Sequence, residues 1–167
     1  MVVIYTSTTV PINSSNDTDA LTSADFWKVL EHKCRNPVLF VDPITDCRII
    51  KEDHDYQTGQ LTSLTRLVKV NGGEAEIEEV AVLKKPVMVA FTIPSTGTSI
   101  TNIISRGVEE EDIYMVSTYE WHHPEVEEGS DEHMKLTEYY WQMSSETVKH
   151  TVAIAKQMSR EGKLDNL

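Results

Sequence analysis

The chain of 167 residues reads as one α+β domain spanning 1–167, a curved seven-stranded antiparallel sheet wrapped around a long C-terminal helix. Three observations predict this. Strand-like patterns separated by turn residues fill the middle of the sequence, from about Ile44 to Trp121. A helical pattern free of internal Pro and Gly follows, from Ser130 to roughly Gly162. Neither layer has another apolar partner, so the helix has to bury its apolar stripe in the concave face of the sheet. A chain of this length buries about two-thirds of its unfolded surface, enough for one core without disulfide staples.

The elements follow in order. Val2 to Ile12 is rich in β-branched residues and predicts a first strand, with a polar loop from Asn13 to Leu21. Thr22-Ser23-Ala24-Asp25 has the form of a helix N-cap with an acidic first turn, and Phe26, Trp27, Leu30 and Cys34 follow at helical spacing. Asn36-Pro37 ends that helix, and Val38–Val41 adds a short helical turn. Six strands are then divided by Thr58-Gly59, Gly72-Gly73, Lys84-Lys85-Pro86, Pro94–Gly97 and Gly107–Glu111. Ser130 caps the last helix, with Asp131 and Glu132 in its first turn and Leu136, Tyr140, Met143, Ile154 and Met158 on its apolar face.

Charge narrows the classes of partner. Twenty-seven Asp and Glu against 15 Lys and Arg give a formal charge of −12, which repels phosphate backbones, so nucleic acid is excluded as a partner. The N-terminus has no basic segment followed by an apolar run, which predicts a cytoplasmic protein, and no stretch approaches the length of a membrane span. Cys34 and Cys47 are too few for a disulfide framework and read as free, packed thiols. His122-His123 lies beside Glu120 and Glu125, but adjacent strand residues point to opposite faces, and no metal site is expected. No Gly-rich phosphate loop or nucleophile elbow is present, and no cofactor is expected. Nothing in the sequence sets an oligomeric state.

Hairpin register predicts what lines the concave face. A two-residue turn at Gly72-Gly73 pairs Val70 with Ala75, Val68 with Ile77, Arg66 with Glu79 and Leu64 with Ala81 on one apolar face. A three-residue turn at Lys84-Lys85-Pro86 carries that face to Val87, Val89, Phe91 and Ile93. It continues through Ile100, Asn102 and Ile104 to Ile113, Met115, Ser117, Tyr119 and Trp121. Helical periodicity sets Thr147 and His150 in the stripe of Leu136, Tyr140 and Met143. The predicted interior is therefore aliphatic and aromatic with a few polar groups, the composition of a small-molecule site. Its expected ligand contacts are Leu64, Arg66, Glu79, Phe91, Asn102, Met115, Ser117, Tyr119, Trp121, Tyr140 and Met143.

Each polar group has two readings. Arg66 and Glu79 form either a structural ion pair or a clamp in which Arg66 holds a carboxylate or enolate oxygen and Glu79 orients it. Asn102, Ser117 and Tyr119 either satisfy one another or contact a ligand. Glu79 and His150 are the candidates for acid/base catalysis, against the plain alternative of a paired carboxylate and a satisfied core histidine.

Four segments carry a family resemblance: Arg35-Asn36-Pro37-Val38-Leu39-Phe40-Val41-Asp42-Pro43-Ile44-Thr45-Asp46-Cys47, Ser99-Ile100-Thr101-Asn102-Ile103-Ile104, Tyr119-Glu120-Trp121 and Arg160-Glu161-Gly162-Lys163-Leu164. In this order the chain resembles the family named after the acetylaranotin biosynthesis cluster protein L. That family is similar to the START, polyketide-cyclase and birch-pollen-allergen proteins. The resemblance implies a helix-grip fold and a place in secondary metabolism, and brings no assigned catalytic residues. The expected function is binding of a small hydrophobic metabolite, polyketide-, lipid- or aromatic-like, in an internal pocket. The alternative is a cyclase- or dehydratase-type enzyme using the same pocket.

Overall fold

The computed structural model describes residues 1–167. Seven strands form one antiparallel sheet: β1 (Val2–Pro11), β2 (Ile44–His54), β3 (Leu61–Val70), β4 (Glu76–Lys84), β5 (Met88–Ile93), β6 (Thr98–Arg106) and β7 (Ile113–His123). Helix α1 (Ser23–Arg35) and a 3₁₀ turn at Pro37–Leu39 lie between β1 and β2, and α2 (Asp131–Arg160) follows β7. The sheet order is β1-β7-β6-β5-β4-β3-β2, so β2 to β7 form a meander and β1 closes onto its last strand. This is a helix grip, a curved sheet packed against a long C-terminal helix.

Local chemistry sets the helix ends. Thr22 accepts from the Asp25 amide while the Asp25 carboxylate accepts from the Thr22 amide, a full capping box for α1. Ser130 accepts from the His133 amide at the start of α2, beside the acidic residues Asp131 and Glu132. At the opposite edge, β2 is interrupted by register shifts at Ile44/Asp46, Ile49/Lys51 and Asp53/His54. Such bulges bend the sheet, and with the charged side chains of β2 they keep an open edge from pairing with another chain.

The predicted register holds where it matters. Arg66 faces Glu79, Leu64 faces Ala81 and Val68 faces Ile77. The turn itself differs: Asn71 and Gly72 are its positive-φ residues, and the ladder ends at Lys69–Glu76, so Val70 pairs with Ile44 and not with Ala75. At the next hairpin Lys84 pairs with Met88, one residue further along each strand than predicted. Inner-face parity survives, but Val87 falls in the turn and is exposed.

Helix α2 buries most deeply a face other than the predicted one, the two sharing Met158. Its buried residues are Ser144, Val148, Thr151, Val152, Ala155 and Met158. Leu136, Tyr140, Met143, Thr147, His150 and Ile154 are only partly buried, roughly a quarter turn away. Small side chains let the helix approach β1 closely, and the Thr6 and Ser144 hydroxyls meet at 2.8 Å. The main core gathers Phe26, Val29, Leu30 and Phe40 with Leu64, Val89, Met115 and Val148.

Candidate functional site

A small cavity survives between the sheet and the two helices. Its volume is about 70 Å³, and its walls are Lys33, Val41, Ile44, Arg66, Glu79, Phe91, Ile100, Asn102, Tyr119, Trp121, Met143 and Thr147. Seven of the eleven expected ligand contacts line it: Arg66, Glu79, Phe91, Asn102, Tyr119, Trp121 and Met143. Leu64, Met115 and Ser117 are fully buried but stand behind the wall. Tyr140 stacks on Trp121 at a ring separation of 4.4 Å without itself reaching the cavity.

Strand alternation puts Arg66 and Glu79 on the inner face, and their geometry explains why a buried pair is tolerated. Arg66 is 3% exposed. Its Nε donates to Glu79 Oε2 at 2.8 Å, and Nη2 lies 2.6 Å from the same oxygen. Its Nη1 donates to the carbonyls of Lys33 and Cys34 at 3.0 and 2.7 Å. Those carbonyls belong to the last turn of α1, so the guanidinium also caps the negative end of a helix. The guanidinium carbon stands 5.2 Å from the Phe91 ring centre, a cation–π distance. Both bonds to Glu79 fall on Oε2, and no protein donor meets Oε1.

Lys33 was not among the expected contacts, yet it is 5% exposed and contributes the second buried cation. Its Nζ donates to Asn102 Oδ1 at 3.0 Å and to Thr151 Oγ1 at 3.2 Å. Asn102 in turn donates through Nδ2 to Ser117 Oγ at 3.1 Å. Burial, reinforced by the positive charge of Arg66, pulls the Lys33 ammonium down to about 8, against the pull of Cys34 and Glu79. The sequence did hold a signal for it. Lys33 lies three, four and seven residues after Leu30, Val29 and Phe26, squarely on the apolar stripe of α1.

The aromatic wall is a stack of three rings. Trp121 lies between Tyr119 and Tyr140, tilted by 10° and 8° from them. Burial pushes the Tyr119 phenol up to about 12, so it stays protonated at neutral pH. The Trp121 indole N–H is buried and has no acceptor, an open donor in a side chain that lines the cavity. Tyr140 is anchored by a 2.9 Å hydrogen bond between its hydroxyl and His123 Nε2.

His150 does not join this interior. Its ring is about 40% exposed, and Nε2 lies 3.2 Å from the Leu39 carbonyl oxygen. The quarter-turn offset of the α2 stripe accounts for this. His150 instead lines an outer groove of about 250 Å³ with Phe40, Asp42, Pro43, Tyr139 and Glu146. Met143 and Thr147 belong to both walls, so they stand between groove and cavity. His122 and His123 turn to different partners, Glu120 for the first and Tyr140 and Glu125 for the second.

The family model of acetylaranotin biosynthesis cluster protein L matches residues 6–162. The chain belongs to that family. The Aspergillus terreus protein of that name is 22% identical over 160 residues, covering 94% of this chain and 90% of its own. Among solved structures, the Zhui aromatase/cyclase from Streptomyces sp. R1128 is similar with a TM-score of 0.66 at 15% identity, over 96% of this chain and 98% of that one. The di-domain ARO/CYC StfQ of the steffimycin biosynthetic pathway is similar with a TM-score of 0.65 at 11% identity. The match covers 96% of this chain, which spans about half the length of StfQ, 52%. At these identities the structural likenesses establish the helix-grip fold and nothing finer. No helix of the chain is long and apolar enough to cross a membrane.

Proposed function

We propose that this family member binds a small, largely apolar metabolite between the concave sheet and α2, in secondary metabolism. The observation that carries the reading is the cavity wall itself. Phe91, Ile100, Tyr119, Trp121 and Met143 give it an apolar and aromatic surface, while the buried Trp121 N–H remains for a ligand to meet. A space needed only for packing gains nothing from such a group, since a buried and unpaired one costs about 1–3 kcal/mol.

At about 70 Å³ the cavity is well below the roughly 300–1,000 Å³ of drug-sized ligand sites. Met143 and Thr147 separate it from the outer groove, and methionine is the side chain that repacks most easily. With Met143 displaced, groove and cavity become one elongated site that reaches the lower end of that size range. Entry is then between the middle of α2 and the segment 40–43.

The occupant is best sought in the native host, because a foreign host need not make it. Native mass spectrometry of the protein purified from its own source, with metabolite profiling of the released fraction, is expected to reveal one bound small molecule. Protein recovered empty from a host that is actively producing its secondary metabolites would contradict the reading. A second reading is a cyclase- or dehydratase-type enzyme acting on a biosynthetic intermediate. It is favoured by Glu79, a carboxylate on the cavity wall that can exchange a proton with an enclosed molecule.

A further inference from the structure

Among the polar groups of the cavity wall, Lys33 is engaged in an unusual way. Both of its partners have their hydrogen-bond polarity fixed by other bonds. Thr151 donates its hydroxyl hydrogen to the Thr147 carbonyl at 2.9 Å, so toward Lys33 it can only accept. The Asn102 amide donates to Ser117, which leaves Oδ1 as the acceptor toward Lys33. Nζ therefore gives two hydrogens to two neutral acceptors. No carboxylate pairs with it, and no third acceptor meets it.

That acceptor count suits an amine better than an ammonium. A neutral –NH₂ places both hydrogens on Asn102 and Thr151 and leaves its lone pair at the remaining tetrahedral position. An ammonium would hold a third N–H with no protein partner in a buried site. The lowered basicity of the group, caused by burial and by the Arg66 charge, agrees with this. A desolvated lysine beside another cation is the arrangement that makes an amine nucleophilic near neutral pH.

We propose that Lys33 is a carbonyl-reactive amine, adding through Nζ to an aldehyde or ketone carbon of a molecule held in the cavity. The lone pair forms the N–C bond as the C=O π pair moves to oxygen, and one amine hydrogen transfers to that oxygen to give a carbinolamine. The C–O bond then breaks, and the oxygen leaves as water with the second amine hydrogen, giving an imine. No oxidant or reductant is required. Glu79 lines the same cavity, and in the proposed step its carboxylate relays the protons. This deepens the ligand-binding reading and rests on it, naming the ligand class as small carbonyl compounds, β-dicarbonyls among them.

Pentane-2,4-dione tests the proposal directly. Its imine loses a proton from the central carbon to nitrogen and becomes an enaminone, which absorbs in the near ultraviolet beyond the protein band. Titration near pH 8 is expected to give one equivalent of enaminone, with peptide mass spectrometry locating the added mass on Lys33. The folded variants Lys33→Met and Lys33→Arg should give none at this stoichiometry. If both variants fail to fold, the peptide location in the unaltered protein decides alone. Absence of enaminone, or mass spread over surface lysines such as Lys51 and Lys135, overturns the proposal. A parallel titration with 1-naphthol, which has no carbonyl, separates the two readings. Naphthol binding without enaminone refutes the role of Lys33 and keeps the ligand site, whereas failure of both removes both.

Discussion

Arg66 holds three elements together at one point. It joins β3 to β4 through Glu79 and both to the end of α1 through the Lys33 and Cys34 carbonyls. Replacement by Met leaves a carboxylate and two carbonyls unpartnered in a buried place. Urea unfolding of Arg66→Met is expected to show a loss of roughly 3–5 kcal/mol, while the double change with Glu79→Gln should lose less than the two single effects added. A loss under about 1 kcal/mol would show that the pair contributes no more than a surface salt bridge. Lys33 gives a second test, with its sign fixed by linkage. Its folded pKa of about 8 lies below the ordinary lysine value of 10.5. Between those values the unfolded chain binds more protons, so this residue's contribution to stability rises as pH increases through that window. Stability relative to Lys33→Met should therefore climb by up to about 3 kcal/mol from pH 8 to 10.5, flat below and above. The comparison with the variant matters because the buried Cys34 thiol, pushed up to about 12 by burial, acts in the opposite direction over part of the same range. A flat difference across the window would mean that Lys33 is charged in the fold.

At the scale of elements, α2 is where hydrophobicity alone misleads. Leu136, Tyr140 and Met143 are large apolar side chains at helical spacing, yet the buried face is built on Ser144, Val148, Thr151 and Ala155, with Ser144 meeting Thr6 of β1. Close approach needs small residues, and a pattern search weighted by hydrophobicity passes over them. Ser144→Leu is accordingly expected to destabilise by about 1–3 kcal/mol through overpacking, whereas Lys149→Ser on the exposed side should stay within about 0.5 kcal/mol. Thermal unfolding of the two variants checks this, and equal effects would contradict the assignment of faces. The strands were far more legible. Their alternation carries parity from hairpin to hairpin, and widening the predicted Gly72-Gly73 turn equally on both sides, to residues 70–75, left Arg66 opposite Glu79. Parity is insensitive to an even number of extra turn residues, while helical phase drifts with every error in choosing the stripe. His150 was misplaced for that reason, and Lys33 was overlooked because a lysine on an apolar helix face reads as surface until its neighbours are counted.

For the molecule as a whole, the concave sheet is nearly filled. Core side chains leave a cavity of about 70 Å³, and a thin partition of Met143 and Thr147 parts it from a larger outer groove. This arrangement makes the site's capacity depend on one flexible side chain. The seven strands, the long helix and the inner-face residues could be read from turn signals and period-two alternation. The partition could not, because it depends on how far α2 stands from the segment 40–43, a distance that no local pattern encodes. The measurement that bears most directly on the ligand site is the 1-naphthol dissociation constant of the unaltered protein beside Met143→Ala and Met143→Trp, followed by tryptophan fluorescence or calorimetry. A site beneath α2 predicts binding that is unchanged or tighter in Met143→Ala and at least tenfold weaker in Met143→Trp, whose indole would fill the passage. Equal constants in all three proteins, each folded, would contradict it.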